Sequence, residues 1–190
     1  MPREIELKLR VESHDPVRER LRAAGGEFVS AGLETNVIFD RPDGSLRARG
    51  MGLRVRSFVD PGGRHTRVTV TVKGPRCGGA IKSRDEVEFG ADDAETAVAA
   101  LEMLGYRRIL RYEKRRETWA YEGCHVELDE PARLGVLFVE IEGPGEAVIA
   151  TVRTKLGLSA AADVAASYVR LMTAYCRDYG VDSHDVRFLT

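Results

Sequence analysis

The sequence predicts an α+β fold: a closed eight-stranded antiparallel β-barrel with a charged interior and helices packed on the outside. Three observations predict it. Eight runs alternate apolar and polar residues with the period of two that belongs to strands. In most of those runs the polar positions are charged and fall on one face. Four further segments read as helices, and each needs an apolar surface to cover.

Arg3-Glu4-Ile5-Glu6-Leu7-Lys8-Leu9-Arg10-Val11 opens the chain as a strand, with Glu4, Glu6, Lys8 and Arg10 on one face and Ile5, Leu7, Leu9 and Val11 on the other. Ser13-His14-Asp15-Pro16 is a helix start, with Ser13 or Asp15 as cap and Pro16 in the first turn. That helix carries Val17, Leu21 and Ala24 and stops at Gly25-Gly26. Residues 34–40 form a short strand ending at the turn Arg41-Pro42-Asp43-Gly44. Strands follow at 52–58, 67–73 and 83–89, the first two joined through Pro61-Gly62-Gly63 and the last two through a loop at 74–79. A helix at 92–104 places Ala97, Val98, Leu101 and Leu104 at helical spacing, with Gly105 after its end. Strands at 110–121, 125–129 and 138–142 come next, and helices at 146–156 and 160–178 close the domain. Residues 1–178 are expected to form one domain, with 179–190 a C-terminal tail of little signal.

Bulk composition narrows the function. The 190 residues suffice for one domain with a sizeable core. Lys plus Arg is 29 and Asp plus Glu is 30, so the net charge of −1 supplies no global pull toward nucleic acid or an anionic membrane. Any electrostatic function must come from how the charges are sorted. The three cysteines, Cys77, Cys124 and Cys176, are far apart and odd in number, which excludes a disulfide framework and a zinc cluster. With no apolar leader and no run of about 18 apolar residues, the expected location is the cytoplasm.

The sorting is informative. The alternate faces collect the acids Glu4, Glu6, Glu86, Glu88, Glu127, Asp129, Glu140 and Glu142 and the bases Lys8, Arg10, Arg54, Arg56, Arg67, Lys73, Arg84, Lys114 and Arg116. An eight-stranded antiparallel sheet tends to close, because closure removes its edges. An outward charged face would make an ordinary barrel. The helices exclude that: they cannot fit inside, so the apolar face must point out to meet them and the charges must point in. An interior of about seventeen charges cannot be dry, given the cost of burying ions. It reads as a wet tunnel for a polyanion and a metal. Arg forks and Lys point charges suit phosphate oxygens, and neighbouring carboxylates suit Mg²⁺ or Mn²⁺. The Glu-x-Glu pair of the first strand recurs at Glu140-Ile141-Glu142, and a linear triphosphate with its metal needs both kinds of group at once.

Glu4-x-Glu6-x-Lys8 resembles the signature of the CYTH superfamily, the triphosphate tunnel metalloenzymes. In order follow Leu53-Arg54-Val55-Arg56, Thr71-Val72-Lys73-Gly74, Arg84-x-Glu86-x-Glu88, Lys114-x-Arg116, Leu128-Asp129, Leu134-Gly135 and Phe138-Val139-Glu140-Ile141-Glu142. Each motif alone is weakly specific; the ordered set, over about residues 3–175, is strong. Ser167-Tyr168 and the general run of the sequence are most similar to the class IV adenylyl cyclase branch.

The resemblance implies that Glu4, Glu6, Glu140 and Glu142 bind Mg²⁺ or Mn²⁺ with Asp129 assisting. It implies that Lys8, Arg54, Arg56, Lys73, Arg84, Lys114 and Arg116 bind the triphosphate, and that Glu4, Glu6, Lys8 and Lys114 carry the catalysis. It further implies a small-molecule triphosphate as partner and a homodimer. Two reactions fit. The leading one converts ATP to cyclic AMP and pyrophosphate; the alternative hydrolyses an inorganic, nucleoside or thiamine triphosphate. A non-catalytic polyphosphate-binding module is a remote third, disfavoured because anion binding alone gains nothing from so many carboxylates. An RNA 5′-end triphosphatase would need a basic groove, which the neutral net charge does not favour.

Other residues receive plainer expectations. Glu86 and Glu88 are read as salt-bridge partners orienting Arg54, Arg56 or Lys114. Trp119 and Tyr168 are read as packing residues under helices. His14, His65, His125 and His184 lack ligand spacing. Cys77 has no paired base in sequence, and Lys73-Gly74 does not open a phosphate-binding loop of the Gly-x4-Gly-Lys-Ser/Thr kind.

Overall fold

The computed structural model describes residues 3–75 and 82–189, apart from the side chains of His65, Thr66 and Lys82. Cys77 and most of the 74–79 loop lie outside the described residues. In chain order the elements are β1 (Arg3–Val11), α1 (Asp15–Ala23), β2 (Glu27–Asp40), α2 (Ser45–Ala48), β3 (Gly52–Val59), β4 (His65–Lys73), β5 (Lys82–Ala91), α3 (Ala94–Met103), β6 (Arg107–Tyr121), β7 (Cys124–Pro131), β8 (Leu137–Glu142), α4 (Glu146–Lys155), β9 (Ala162–Asp163) and α5 (Tyr168–Tyr179).

The barrel closes as expected. The strand order is β5-β4-β3-β2-β6-β7-β8-β1, and β1 returns to pair with β5, every pairing antiparallel. Apolar residues at alternate positions of β1, β7 and β8 (Leu7, Leu9, Val126, Leu128, Val139, Ile141) pack on Val17 and Leu21 of α1 and on Ile149 and Val152 of α4. Trp119 belongs to the same cluster, stacked edge-on to Phe28 at 5.6 Å, which bears out its reading as a core residue. A second outer cluster joins Phe39, Leu53, Val55, Val68 and Val70 to Val98 of α3.

Four local expectations are corrected. The strand expected at 34–40 begins at Glu27. Its first half reads weakly because it carries Gly32, but that glycine is required: a Cβ there would lie 2.2 Å from the Val59 carbonyl and 2.9 Å from the Phe58 ring. A short helix, α2, follows the turn at 41–44; the Asp40 carboxylate accepts from the backbone N–H groups of Arg41, Leu46 and Arg47 and pins it.

The helix expected at 160–178 starts only at Tyr168. Residues 162–163 instead extend the sheet on the edge of β1 that β5 leaves uncovered, and the Val164 N–H donates to the Lys8 carbonyl at 2.8 Å. A free strand edge outweighs the helix propensity of an alanine-rich run. The segment after α5 is docked on the edge of β6 that β7 does not reach. Arg111 N–H donates to the Ser183 carbonyl, the Val186 carbonyl accepts from Glu113 N–H while Val186 N–H donates to the Arg111 carbonyl, and Val186 is fully buried.

The fifth helix is placed differently from the rest. Met172 and Cys176 of α5 pack with Tyr168 on Ile38, Leu110, Tyr112 and Phe138. Ile38 and Phe138 alternate with the outward-facing Phe39 and Val139, so they lie on the inner face. Toward one end the inner face turns from charged to apolar, and α5 packs against that apolar section.

Candidate functional site

The barrel encloses a cavity of about 1180 Å³. Glu4, Glu6, Lys8, Arg54, Arg56, Lys73, Arg84, Lys114, Arg116, Glu140 and Glu142 all line it. Alternation places them there: one inward side chain at every second residue of β1, β3, β4, β5, β6 and β8. Arg67 and Glu127 line it too, whereas Arg10 lies outside it, exposed near the end of β1 beside Val11 and Leu137.

The charges are paired with one another. Glu4 accepts from Lys73 Nζ at 2.6 Å and from Arg84 Nε at 2.9 Å. Burial alone would raise the Glu4 pKa, but those two cations outweigh it and hold the carboxyl at about 2. Lys8 Nζ lies 3.2 Å from Glu140 Oε1. Glu88 accepts from Thr71 Oγ1 at 2.7 Å with Arg54 at 3.9 Å, the expected kind of partner, whereas Glu86 is a salt-bridge partner of Lys73, at 2.6 Å, instead of the expected Arg54, Arg56 or Lys114.

Deeper in, Arg116 is the hub. Its Nε donates to Asp129 Oδ1 at 2.7 Å; its Nη2 donates to Asp129 Oδ2 at 2.6 Å and to Glu140 Oε2 at 2.7 Å; and it pairs with Glu127 through Nη1. Glu127, Asp129 and Glu140 present oxygens all within 4.8 Å of one another. One guanidinium cannot neutralise them all. Burial raises the Glu127 pKa to about 7; Arg116 opposes this and the Asp129 charge adds to it.

Asp129 is fully buried and its carboxylate is engaged by Arg116, by Lys114 at 3.0 Å and by the Tyr168 hydroxyl at 2.7 Å. It backs the cavity wall, and a metal at this group would have to displace the guanidinium. The acids nearer the barrel's other section present a different environment. Glu6 and Glu142 are direct cross-strand partners, a like-charge juxtaposition. Burial and then the Glu4 charge push the Glu142 carboxyl up. An all-carboxylate oxygen donor set under mutual repulsion fits a hard divalent cation.

Several contributors escaped the sequence reading. Glu34 is almost fully buried and lies 3.3 Å from Lys114 Nζ and 3.4 Å from Arg56 Nε. Burial works to raise its pKa, but Arg56, Lys114 and Arg116 hold it well below the carboxylate range. Asn36 Nδ2 donates to Glu34 Oε1 at 2.9 Å. Both share a parity with the inward Ile38, a signal present in the 34–40 run. Arg54 is loosely held: among the described residues its buried Nε has no hydrogen-bond partner and its nearest salt-bridge carboxylate is Glu88 at 3.9 Å, and burial together with the Arg56 charge lowers its pKa. Tyr168, read as packing, has its ring face under Lys8 and Lys114.

These shifts fix the pH response of the fold. Glu127, raised from 4.5 to about 7, destabilises the folded state when ionised, so stability rises as pH falls through 7 toward 4.5. Glu4, lowered from 4.5 to about 2, contributes stability that is complete above 4.5 and is lost as pH falls toward 2. Thermal melts across this range are expected to peak at mildly acidic pH, and Glu127→Gln should flatten the neutral limb. A melting temperature that climbs steadily from pH 5 to 8 would contradict the assignment.

A CYTH domain family model matches residues 2–168. Adenylate cyclase CyaB of Aeromonas hydrophila is 32% identical over 169 residues, covering 83% of this chain and 82% of that one. Among solved structures, the PH1819 protein of Pyrococcus horikoshii OT3 superposes with a TM-score of 0.77 at 26% identity, over 90% of this chain and 99% of that one. The Hippeastrum protein HpAC1, described as revealing a dominant triphosphatase activity, shares the fold with a TM-score of 0.65 at 17% identity, over 90% of this chain and 96% of that one.

Proposed function

This chain belongs to the CYTH family, whose members act in general on triphosphates with a divalent metal, and from that premise we propose that its tunnel binds a metal-bound linear triphosphate and turns it over. The leading reaction is that of a class IV adenylyl cyclase, ATP to cyclic AMP and pyrophosphate. The observation that carries the reading is the cavity itself, where Lys8, Arg54, Arg56, Lys73, Arg84, Lys114 and Arg116 converge beside Glu4, Glu6, Glu140 and Glu142. The 32% identity to the Aeromonas hydrophila adenylate cyclase favours the cyclase.

The chain's own groups perform an exchange of partners. A phosphate chain entering the tunnel competes for Lys73 and Arg84, which now hold Glu4, and for Lys8, which now holds Glu140. Arg54, whose nearest salt-bridge carboxylate among the described residues is Glu88 at 3.9 Å, gains a closer counter-charge and a partner for its Nε. Carboxylates released by that exchange become hard oxygen donors. Mg²⁺ or Mn²⁺, held by Glu4, Glu6, Glu140 and Glu142, would when bound neutralise phosphate charge as a Lewis acid. Asp129 and Glu34 anchor Lys114 and Arg116 from behind. Lys8 and Lys114 stabilise charge on the leaving phosphate, which is most of what phosphoryl transfer asks of a protein.

Triphosphate hydrolysis is the second reading. It is favoured by the charged lining, which a triphosphate alone can satisfy without a nucleoside. The same tunnel serves both reactions, depending on which phosphorus faces the nucleophile. The test is to incubate the protein with Mg²⁺ or Mn²⁺ and, separately, ATP, inorganic triphosphate or thiamine triphosphate and resolve products by phosphorus NMR. Cyclic AMP with pyrophosphate establishes the cyclase. Orthophosphate with a diphosphate product establishes the hydrolase. No turnover of ATP, inorganic triphosphate or thiamine triphosphate, with triphosphate still bound, overturns the enzyme reading in favour of a binding module.

A further inference from the structure

We propose that Tyr168 is a positioning residue of the tunnel, whose ring face holds the ammonium groups of Lys8 and Lys114 aimed at an incoming phosphate chain and whose hydroxyl locks Asp129 behind them. The proposal rests on the reading of the tunnel as a triphosphate site.

The geometry is specific. Lys8 Nζ lies 3.6 Å from the Tyr168 ring centroid and Lys114 Nζ lies 4.6 Å from it. Both lysines are 2% exposed. A buried ammonium needs compensation for lost hydration. A carboxylate supplies it, but brings a negative charge that then repels an arriving phosphate. The face of an aromatic ring supplies part of it through its quadrupole, with no net charge. Lys8 uses all three kinds of compensation: Glu140 at 3.2 Å, the Ala166 carbonyl at 3.3 Å and the ring. The ring portion is the one a phosphate does not have to displace.

The hydroxyl does separate work. It donates to Asp129 Oδ2 at 2.7 Å, the same oxygen that accepts from Lys114 at 3.0 Å and from Arg116 Nη2 at 2.6 Å. One side chain therefore touches Lys8 and Lys114 and shares an acceptor with Arg116, groups drawn from β1 and β6.

The ring is itself fixed. Tyr168 is the first residue of α5, whose N-cap Ser167 accepts from the Arg170 N–H at 3.3 Å. Phe138 meets the ring edge-on at 5.7 Å, and Tyr112 lies at 6.4 Å. Met172 and Cys176, one and two turns along the helix, bury α5 against the same section of the barrel. An ordinary core tyrosine would share this packing but would not carry two ammonium groups on its face.

Two readouts test the proposal, and the first needs no variant. In the carbon–proton spectrum of the wild-type protein, the ε-methylene protons of Lys8 should be shifted upfield of the ordinary lysine position by the ring current of Tyr168. Tyr168→Phe should keep that shift and Tyr168→Leu should remove most of it, leaving the smaller contribution of the Phe138 ring, whose centroid lies 5.9 Å from Lys8 Nζ. The second readout is affinity for inorganic triphosphate without metal, by calorimetry. Tyr168→Leu should weaken binding about tenfold, or ~1.4 kcal/mol, the scale of a desolvated cation–π contact. Tyr168→Phe should stay within about threefold, since it keeps the ring face and Asp129 keeps its bonds from Lys114 and Arg116.

Lys8 signals at the ordinary position in the wild type would overturn the proposal. So would a folded Tyr168→Leu variant that binds triphosphate as tightly as wild type. If Tyr168→Leu does not fold, the wild-type spectrum decides. Failure of the wild type to bind triphosphate, with the upfield signals present, would overturn the tunnel reading while supporting the placement of the lysines.

Discussion

Glu142→Gln is expected to abolish metal-dependent turnover while leaving the protein as stable as wild type or more so. The two halves of that expectation share a cause. Glu142 sits opposite Glu6 across β1 and β8 and is pushed up by burial and by the Glu4 charge, so its ionised form costs the fold stability. A neutral amide removes that cost and also removes a hard oxygen donor. Loss of turnover should reach at least about 100-fold, the scale seen when one preorganised charge-stabilising group is lost. Opposed changes in stability and activity mark a site held under strain for function. Glu4→Gln provides the contrast. Glu4 accepts from both Lys73 and Arg84, so its variant should lose turnover and stability together. Turnover assays paired with thermal melts separate the cases. A Glu142→Gln enzyme that retains its metal-dependent rate would contradict the role given to this strand pair.

The largest stability effect should come from Arg116→Leu. This guanidinium pairs with Glu127, Asp129 and Glu140 and lies 3.9 Å from Glu34. Its pKa is raised well above the usual value: burial opposes the charged form, but Asp129 and Glu127 outweigh it. Removing it leaves buried carboxylates without their shared cation. Breaking a buried pair in this way costs about 3–5 kcal/mol, which for a domain of this size is about 6–20 °C in Tm. Protonation supplies what the arginine no longer does, so the deficit should shrink as pH falls from 7 to 5. Adding Glu127→Gln should recover part of it at neutral pH, since Glu127 is the carboxyl already raised to about 7. A deficit that does not change with pH would mean the arginine acts through packing alone.

What was legible in the sequence follows the strand period. Glu4, Glu6 and Lys8 could be assigned to one face because Ile5 and Leu7 between them are apolar, and the packing of Leu7 under α1 and α4 leaves no other side for the charges. The inward set was therefore readable without coordinates. Arg10 obeys the same parity and is still paired with Phe138 and Ala162, yet it lies outside the cavity and is exposed, so parity alone did not settle which charges line the tunnel.

Glu34 and Asn36 were missed although their parity was available. An acid and an amide beside Thr35 and Val37 look like an ordinary half-exposed strand, and only the register with Lys114 and Arg56 shows them buried. Ala160-Ala161-Ala162 reads as helix on local propensity, yet residues 162–163 became a strand because β1 offered an unpaired edge. Tyr168 was the least readable residue. Its spacing with Met172 and Cys176 is that of a core helix, and it is one. Nothing in that spacing reveals that the core it enters is the inner face of the barrel, next to two lysines.

The central claim is that acids and bases paired within the tunnel are traded for a triphosphate and its metal. Titration calorimetry with inorganic triphosphate and with Mg²⁺ or Mn²⁺, separately and together, tests it most directly. The exchange predicts weak metal binding alone, because Lys73 and Arg84 already hold Glu4 and Lys8 and Arg116 already hold Glu140, two of the four carboxylates assigned to the metal. It predicts that triphosphate and metal each tighten the other by the same factor, as linkage requires. Arg54→Ala should weaken triphosphate binding with or without metal. Metal that binds equally well with and without triphosphate, or triphosphate that does not bind at all, would contradict the account.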